Sequence, residues 1–255
     1  MMKPKIQLLI WIGAIAAFVL GGCVTSAVIE VGEEANAAVD ANLPSKQVGA
    51  ATLPPVQPGW KVVYENDWSA EAVGEEPADL FILDGAFAVT EMGGDKALAL
   101  PGVPVGDFGF LFGPRVKGKP VELRCRIFSI RQGRRMPTFA AGLGGMNGYR
   151  IRLNSAARNM QLFRGEESVA TTPFQWQSGS WTNLRFRAEP QDEKTTTVSA
   201  KVWAQDGKEP AKWNLVHQDT AFFAGGKCSL WGLPYADTNI LFDDLQVLSS
   251  SPDKP

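Results

Sequence analysis

The chain contains 255 residues, with 25 lysines and arginines against 27 aspartates and glutamates, which gives a formal net charge of −2. That balance excludes the strongly basic class of nucleic-acid-binding proteins, and the sequence contains no RNA-binding motif. Hydrophobic residues make up 45% of the chain, which is enough to build one sizeable folded core.

The first 22 residues have the features of a lipoprotein signal peptide. Lys3 and Lys5 precede an apolar run over residues 6–20. A helix over that run would be about 22 Å long, which is short of the roughly 30 Å hydrocarbon core of a bilayer. The run ends in Leu20-Gly21-Gly22-Cys23, which resembles a bacterial lipobox. The resemblance implies cleavage before Cys23 and attachment of diacylglycerol to its sulfur.

An uncleaved signal anchor is the alternative to a cleaved lipoprotein. Residues 24–31 are apolar enough to extend a tilted membrane helix beyond the short run. Both interpretations predict an exported protein that is attached to a membrane of the bacterial cell envelope. Val24 stands where some lipoproteins retained in the inner membrane carry aspartate, and this favours the outer membrane.

A flexible tether is predicted over residues 23–59. After Cys23 this stretch contains no aromatic residue, and it is rich in Ala, Val, Pro and Gly. Such a composition buries too little apolar surface to offset the entropy of ordering the chain. Aromatic residues and alternating patterns follow as far as Leu248. One folded domain is therefore predicted over residues 60–249, and a polar tail over residues 250–255.

The predicted domain consists of β-strands. Apolar and polar residues alternate with period two in several segments, as they do in half-buried antiparallel strands. Asn-Gly, Asp-Gly and Gly-Gly pairs separate these segments and supply the positive φ of tight hairpins. The sequence therefore predicts an all-β sandwich of two antiparallel sheets. Its predicted core includes Leu123, Ile151, Leu153, Leu184, Phe186, Val202 and Phe242.

The order of these motifs resembles that of a known family. The chain runs from Tyr64-Glu65-Asn66-Asp67-Trp68 through Gly179-Ser180-Trp181-Thr182-Asn183-Leu184 to the closing Phe242-Asp243-Asp244-Leu245-Gln246-Val247. Over residues 60–248 this is similar to the concanavalin A-like lectin and glucanase domains, in the laminin-G-like form of exported bacterial proteins. The resemblance implies a jelly-roll sandwich. It leaves the function open, because this fold carries lectins, glycanases and adhesive modules.

Familiar catalytic motifs are absent from the sequence. His217 is the sole histidine and no Gly-x-Ser-x-Gly motif accompanies it, so a structural histidine is predicted. Retaining glycanases of the resembled fold carry Glu-x-Asp-x-x-Glu on one strand, which brings a nucleophile and an acid about 5 Å apart. Here Glu65 and Asp67 match the first two positions, but Ala70 occupies the third. A non-catalytic protein is favoured, and the question of an enzyme stays open.

Calcium and a disulfide are two further candidate features. Relatives of the resembled architecture often hold a structural calcium ion near the first and last strands, for which Asp67, Asp243 and Asp244 are candidate oxygen ligands. A solvated acidic edge is the alternative. Cys125 and Cys228 share the parity of core residues. An exported compartment permits a disulfide between them, and two buried free thiols are the alternative.

Charge is segregated along the predicted domain. Residues 115–187 contain 14 basic and 3 acidic side chains, whereas residues 60–114 contain 2 basic and 10 acidic ones. One interpretation is that the acidic loops pack beside the basic block and neutralise it. The other is a basic face on which Arg pairs with the carboxylate or sulfate of an anionic polysaccharide while Trp stacks on a sugar ring. The candidate ligand-binding residues are Arg150, Arg152, Arg185, Arg187, Lys201 and Trp203.

These features favour a non-catalytic binding module that is anchored at the cell surface or envelope and recognises carbohydrate. A glycoside-acting enzyme with a non-standard site is one alternative, and a structural envelope lipoprotein that binds other proteins is another. The predicted partners are the membrane through the lipid anchor, and carbohydrate or an envelope protein. Nucleic acid is excluded, and structural calcium is the sole cofactor suggested by the resemblance.

Overall fold

Alternating apolar and polar residues form strands through most of the described chain. The computed structural model describes residues 53–235 and 237–250, and within them it contains fifteen β-strands. Their bounds are β1 Trp60–Asn66, β2 Phe81–Asp84, β3 Ala88–Met92, β4 Asp95–Leu100, β5 Phe108–Lys117, β6 Val121–Phe128, β7 Thr138–Leu143, β8 Tyr149–Asn154, β9 Asn159–Arg164, β10 Glu167–Pro173, β11 Thr182–Pro190, β12 Thr196–Ala204, β13 Leu215–Asp219, β14 Gly225–Leu233 and β15 Ile240–Ser250. The predicted signal peptide, Cys23, most of the predicted tether and residues 251–255 lie outside the described residues. None of the described residues belongs to a helix long and apolar enough to cross a bilayer.

The strands form two antiparallel sheets. The eight-stranded sheet has the order β13-β12-β11-β6-β15-β4-β3, with β1 also paired to β15, and the seven-stranded sheet has the order β10-β9-β8-β7-β14-β5-β2. The chain crosses repeatedly between them, since β5 and β7 belong to the seven-stranded sheet while β6 belongs to the eight-stranded one. The all-β sandwich of two antiparallel sheets predicted from the sequence is confirmed.

The core lies between the two sheets, and the predicted inward residues occupy it. One hydrophobic cluster, in which each of these side chains is at most 5% exposed, contains Leu123, Ile151, Leu153, Leu184, Phe186, Val202 and Phe242. Aromatic rings also pack edge-on within it, with the ring centroid of Phe110 4.9 Å from that of Phe87. Burial of each large apolar side chain stabilises the sandwich by roughly 1.5–3 kcal/mol.

Cys125 and Cys228 lie in this core as free thiols. Burial raises the pKa of Cys125, and the neighbouring Cys228 raises it further. Burial also raises the pKa of Cys228 to about 12. Both side chains therefore stay protonated at neutral pH and pack as small hydrophobic groups. Of the two alternatives predicted from the sequence, the structure has the buried free thiols.

The folded domain begins before Trp60. The carbonyl oxygen of Pro54 accepts a hydrogen bond from Arg124 at 2.5 Å, and Gln57 Oε1 accepts one from Arg187 at 3.0 Å. The backbone N–H of Trp60 donates to the carbonyl oxygen of Gln57 at 3.1 Å. These contacts correct the predicted domain boundary after residue 59. Composition alone misplaced it, because the segment is ordered by its carbonyl and amide oxygens and not by apolar side chains.

Candidate functional site

The predicted basic surface is divided between the two sheets. Arg150 and Arg152 lie on β8 in the seven-stranded sheet, and their side chains alternate with core residues. The other candidates lie on β11 and β12 in the eight-stranded sheet and are Arg185, Arg187, Lys201 and Trp203. The two groups therefore occupy opposite outer faces of the sandwich. The prediction of one shared surface is wrong, because period two determines the face of a strand but not the sheet that the strand joins.

Arg185, Arg187 and Lys201 are buried on the outer face of the eight-stranded sheet, with exposed fractions of 4%, 8% and 8%. The Glu122 carboxylate accepts hydrogen bonds from Arg185 Nε at 2.9 Å and from Arg187 Nε at 2.6 Å. Glu209 accepts one from Lys201 Nζ at 2.9 Å. These three candidate cations are thus neutralised within the fold, by Glu122 and Glu209 and not by the acidic segment over residues 60–114.

Aromatic rings cover the same cluster. The ring of Trp213 lies 5.0–5.5 Å from the cationic groups of all three basic residues. The ring of Trp60 lies 4.5 Å from the guanidinium carbon of Arg187. Trp203, the remaining candidate of this sheet, is half-buried on β12. These cations therefore stabilise the domain and are not presented to a ligand.

Glu122 is the centre of this cluster and is fully buried. Burial by itself would raise the pKa of its carboxyl group. The hydrogen bond from Arg185 and the positive charges of Arg187, Arg185 and Arg124 outweigh burial and hold that pKa below its ordinary value. Glu122 is consequently ionised at neutral pH and acts as the counter-charge of the surrounding guanidiniums.

The outer face of the seven-stranded sheet carries two aligned rows of side chains. Strand register from β9 to β2 places one row in the order Gln161, Arg152, Ala140, Trp231, Gly109 and Asp84. The second row contains Phe163, Arg150, Gly142, Ser229, Leu111 and Phe81. Together these rows are named the arginine–tryptophan face.

Small residues let the indole of Trp231 lie close against the sheet. A Cβ atom added to Gly109 would lie 2.4 Å from the Trp231 ring, and one added to Gly142 would lie 2.2 Å from the Ser229 hydroxyl. That hydroxyl accepts a hydrogen bond from Trp231 Nε1 at 3.1 Å. The absence of side chains at the two glycines and the hydrogen bond together fix the position of the ring.

Two arginines lie over aromatic rings of this face. The guanidinium carbon of Arg150 is 5.4 Å from the Trp231 ring centroid, and that of Arg152 is 5.1 Å from the Phe163 ring centroid. The two arginine side chains remain 25% and 32% exposed. Asp107 approaches them at 4.0 and 3.9 Å, which is beyond hydrogen-bonding distance. Both guanidiniums therefore keep donors available to a ligand.

The electrostatic surroundings of Arg150 favour an added anion. Burial lowers the pKa of its guanidinium and the positive charge of Arg152 lowers it further, while Asp107 and Glu166 act in the opposite direction. A guanidinium stays protonated throughout the physiological range. Asp107 and Glu166 therefore compensate this cation in part, and an added carboxylate or sulfate group would stabilise it further.

Sequence reasoning identified the two arginines but missed Trp231, Phe163 and Asp107. Trp231 alternates with the core residue Leu230, so its outward parity was a usable signal. Asp107 precedes β5 and has no periodicity of its own. Its position beside the arginines of β8 depends on the order of the strands in the sheet.

No family model matches the sequence, and no curated protein matches it significantly. Solved structures share its fold. The carbohydrate recognition domain of Emp47p is 11% identical, with a TM-score of 0.54 over 76% of this chain and 98% of that one. The exoplasmic/lumenal domain of VIP36, in a Ca²⁺/Man3GlcNAc-bound form, is 9% identical with a TM-score of 0.52, over 69% and 86% of the two chains. Peanut lectin is 11% identical with a TM-score of 0.51, over 75% and 97%.

The described domain has the concanavalin A-like jelly-roll fold. In this jelly roll the three predicted calcium ligands do not form a site. Asp67 accepts hydrogen bonds from the N–H and the hydroxyl of Ser69, at 3.0 and 2.6 Å. Asp243 and Asp244 pair with Arg126 at 2.6 and 2.7 Å. Among residues 53–235 and 237–250, no three His, Cys, Asp or Glu side chains are grouped so as to hold a metal ion. The predicted ligands therefore do not fit calcium, since Arg126 supplies the positive charge beside two of them.

The other residues weighed for catalysis lie away from the arginine–tryptophan face of the jelly roll. Glu65 is on β1 in the eight-stranded sheet, and Asp67 follows that strand. His217 is half-buried on β13, at the edge of the same sheet. None of these three residues belongs to the two rows of the face.

Proposed function

We propose that this chain binds carbohydrate through the arginine–tryptophan face, and that an anionic polysaccharide is the preferred ligand. The proposal is carried by the two part-exposed guanidiniums of Arg150 and Arg152, which lie over the rings of Trp231 and Phe163. Aromatic rings pack against the apolar faces of sugars. Guanidiniums bind carboxylate or sulfate groups through paired N–H donors. Phe163 is half-buried and offers the first kind of contact beside the two arginines, whereas Trp231 is 9% exposed and supports the Arg150 guanidinium.

The extent of the face suits a polymer. Neighbouring strands lie about 4.8 Å apart, so the strand steps from Phe163 on β9 to Phe81 on β2 span roughly 24 Å. Phe81 is 60% exposed at the edge of the sheet. An aromatic ring is thus present at each end of the second row. Several consecutive sugars laid across the strands would contact the members of this row that are not buried, which are Phe163, Arg150, Leu111 and Phe81.

The names of the structural relatives agree with this ligand class. One is described as a carbohydrate recognition domain, one as a lectin, and one was solved with Man3GlcNAc. At 9–11% identity the likeness shows the fold alone. The proposal therefore rests on the residues of the arginine–tryptophan face.

The proposal includes attachment of the domain to the bacterial cell envelope through lipid on Cys23. The lipobox-like sequence Leu20-Gly21-Gly22-Cys23 supports it, because this sequence directly follows a short apolar run behind two lysines. The module would then hold the envelope against an anionic polymer.

Titration of the full chain with neutral, uronic and sulfated polysaccharides tests the proposal. We expect the anionic polymers to bind at low salt and to bind less well at physiological salt, because exposed charges are screened beyond about 8 Å there. Changing Arg150→Gln and Arg152→Gln together should weaken binding roughly 10–100-fold, since a hydrogen bond to a charged group contributes about 1.5–3 kcal/mol.

Arg115→Gln is the matched control. Arg115 is exposed on β5 of the same sheet, beyond the two rows of the face. Its replacement should leave the affinity and the melting temperature unchanged. The proposal fails if no polysaccharide binds at low salt, or if the double variant binds as tightly as the wild type.

A further inference from the structure

A pocket at one end of the sandwich is separate from the two rows of the arginine–tryptophan face. It lies where the β6–β7 loop, the β8–β9 turn and the β10–β11 loop meet, and its volume is about 380 Å³. Small-molecule sites commonly fall in this size range. Residues that line it include Arg131, Ser155, Arg158, Gln175, Trp176 and Ser178. We propose that this pocket binds the carboxylate or sulfate group of an acidic sugar.

Two residues that line the pocket each carry a buried polar atom that has no hydrogen-bond partner within residues 53–235 and 237–250. These atoms are the hydroxyl of Ser155, a residue that is 4% exposed, and the indole Nε1 of Trp176. An indole N–H can only donate, and a hydroxyl can donate as well as accept. Buried donors are normally paired, because an unpaired one has lost its hydration without compensation. A ligand oxygen that reached either group would supply the missing partner.

The charged residues that line the pocket are both positive. They are Arg131 and Arg158, and no described Asp or Glu lines it. Neither arginine forms an ion pair in the described part of the chain. Arg158 has a φ of 52°, in the left-handed region that glycine and asparagine favour.

The walls of the pocket are held together before a ligand arrives. The backbone N–H of Arg131 donates to the Ser178 hydroxyl at 2.7 Å, which ties the β6–β7 loop to the β10–β11 loop. The backbone N–H of Phe174 donates to the carbonyl oxygen of Arg158 at 3.1 Å, which ties the β10–β11 loop to the β8–β9 turn. Such preorganisation lowers the entropy cost of binding.

An oxyanion matches this arrangement of donors. Carboxylate and sulfate oxygens accept hydrogen bonds from guanidinium, indole and hydroxyl groups alike. The pocket volume exceeds that of a lone small anion, so an anion carried on a sugar ring uses the space better. The choice of a sugar as the carrier rests on the proposed function, whereas the oxyanion chemistry rests on the pocket alone.

Calorimetric titration of the full chain with glucuronate, glucose and inorganic sulfate tests the inference. We expect glucuronate to bind more tightly than either glucose or sulfate. Ser155→Ala and Arg158→Gln should each weaken glucuronate binding by about tenfold, the effect of one lost charged hydrogen bond. The indole N–H resonance of Trp176, assigned by comparison with Trp176→Phe, should shift when glucuronate is added. Arg134→Gln, on the same β6–β7 loop but outside the pocket lining, is the matched control. It should leave both the glucuronate affinity and the shift of the Trp176 resonance unchanged.

The remaining outcomes separate the two proposals. The pocket proposal is overturned if neither glucuronate nor sulfate binds. It is also overturned if Arg150→Gln abolishes glucuronate binding while Ser155→Ala and Arg158→Gln leave that binding intact. Equal affinity for sulfate and glucuronate, both lost in Arg158→Gln, supports an oxyanion site and overturns the sugar as its carrier. Loss of glucuronate binding in the pocket variants supports the pocket even if no polysaccharide binds to the arginine–tryptophan face.

Discussion

At the scale of single residues, Glu122 decides what the basic block of the eight-stranded sheet does. Its carboxylate accepts hydrogen bonds from the guanidiniums of Arg124, Arg185 and Arg187. Buried cations without a counter-charge are strongly destabilising, because their hydration is lost and nothing replaces it. The part of the charge pattern that lies on this sheet is thus a structural cluster around one carboxylate, and not the ligand site that the sequence suggested.

Glu122→Gln is expected to lower the free energy of unfolding by about 3–5 kcal/mol at neutral pH, because it leaves three buried guanidiniums around a neutral amide. Urea denaturation measures the change. Glu167→Gln is the control, since Glu167 pairs with Arg164 at 3.0 Å but is 68% exposed. Its loss should cost about 0–1 kcal/mol. Similar losses in the two variants would contradict the role given to Glu122.

The same carboxyl group makes stability depend on pH. Its pKa in the folded state lies below the unfolded value of 4.5, so its contribution is fully present above that pH. The contribution is lost as the pH falls through the lower folded pKa. The difference in stability between the wild type and Glu122→Gln should therefore shrink on acidification, and a difference that stays constant down to about pH 2 would show that folding does not lower the pKa of this carboxyl group.

At the scale of elements, strands β5, β7 and β14 shape the arginine–tryptophan face. Gly109 on β5 and Gly142 on β7 flank the strand that carries Trp231 and Ser229. The missing side chain of Gly109 leaves space for the Trp231 ring, and that of Gly142 leaves space for the Ser229 hydroxyl, which accepts the hydrogen bond of the indole. The proposed binding surface therefore depends on small residues on neighbouring strands as well as on the aromatic residue itself.

Gly109→Ala should displace the Trp231 ring, because the added Cβ would lie 2.4 Å from it. We expect a loss of stability of about 1–3 kcal/mol, the usual cost of overpacking, together with weaker polysaccharide binding. Denaturation, binding and tryptophan fluorescence measure these effects. Gly207→Ala is the control, since the nearest atom to its added Cβ is 3.2 Å away. Unchanged fluorescence and affinity in Gly109→Ala would show that the space at Gly109 does not determine the position of the Trp231 ring or the binding of polysaccharide.

At the scale of the whole molecule, the two outer faces of the sandwich differ in what covers them. Pro54, Gln57 and Trp60 cover the eight-stranded sheet together with Trp213. The arginine–tryptophan face keeps part-exposed arginines. The chain thus enters the domain on one face, and the proposed ligand binds on the opposite one.

Cys23→Ala tests the proposed anchor. We expect the variant to lose acyl-chain labelling. It should then either move from the membrane to the soluble fraction, because several buried acyl chains are lost at once, or remain an unprocessed precursor. Cell fractionation and labelling measure both effects. Thr25→Ala, two residues beyond the lipobox-like sequence, should behave as the wild type does. Normal processing and membrane retention of Cys23→Ala would contradict the anchor.

The sequence by itself determined the class of the fold and the inward or outward side of each strand residue. Leu184 and Phe186 alternate with Arg185 and Arg187, and alternation is local because successive side chains of a strand point to opposite faces. The same local signal located Arg150 and Arg152 on one face of β8.

Only the tertiary structure decided which strands are neighbours. Pairing β11 with β6 placed Arg185 beside Glu122, and pairing β7 with β14 placed Trp231 within reach of the arginines of β8. The pocket around Ser155 and Trp176 likewise needs three loops that are distant in the chain. Contacts of this kind join residues far apart in sequence. They depend on how the chain crosses between the sheets, which no periodic pattern within one strand encodes.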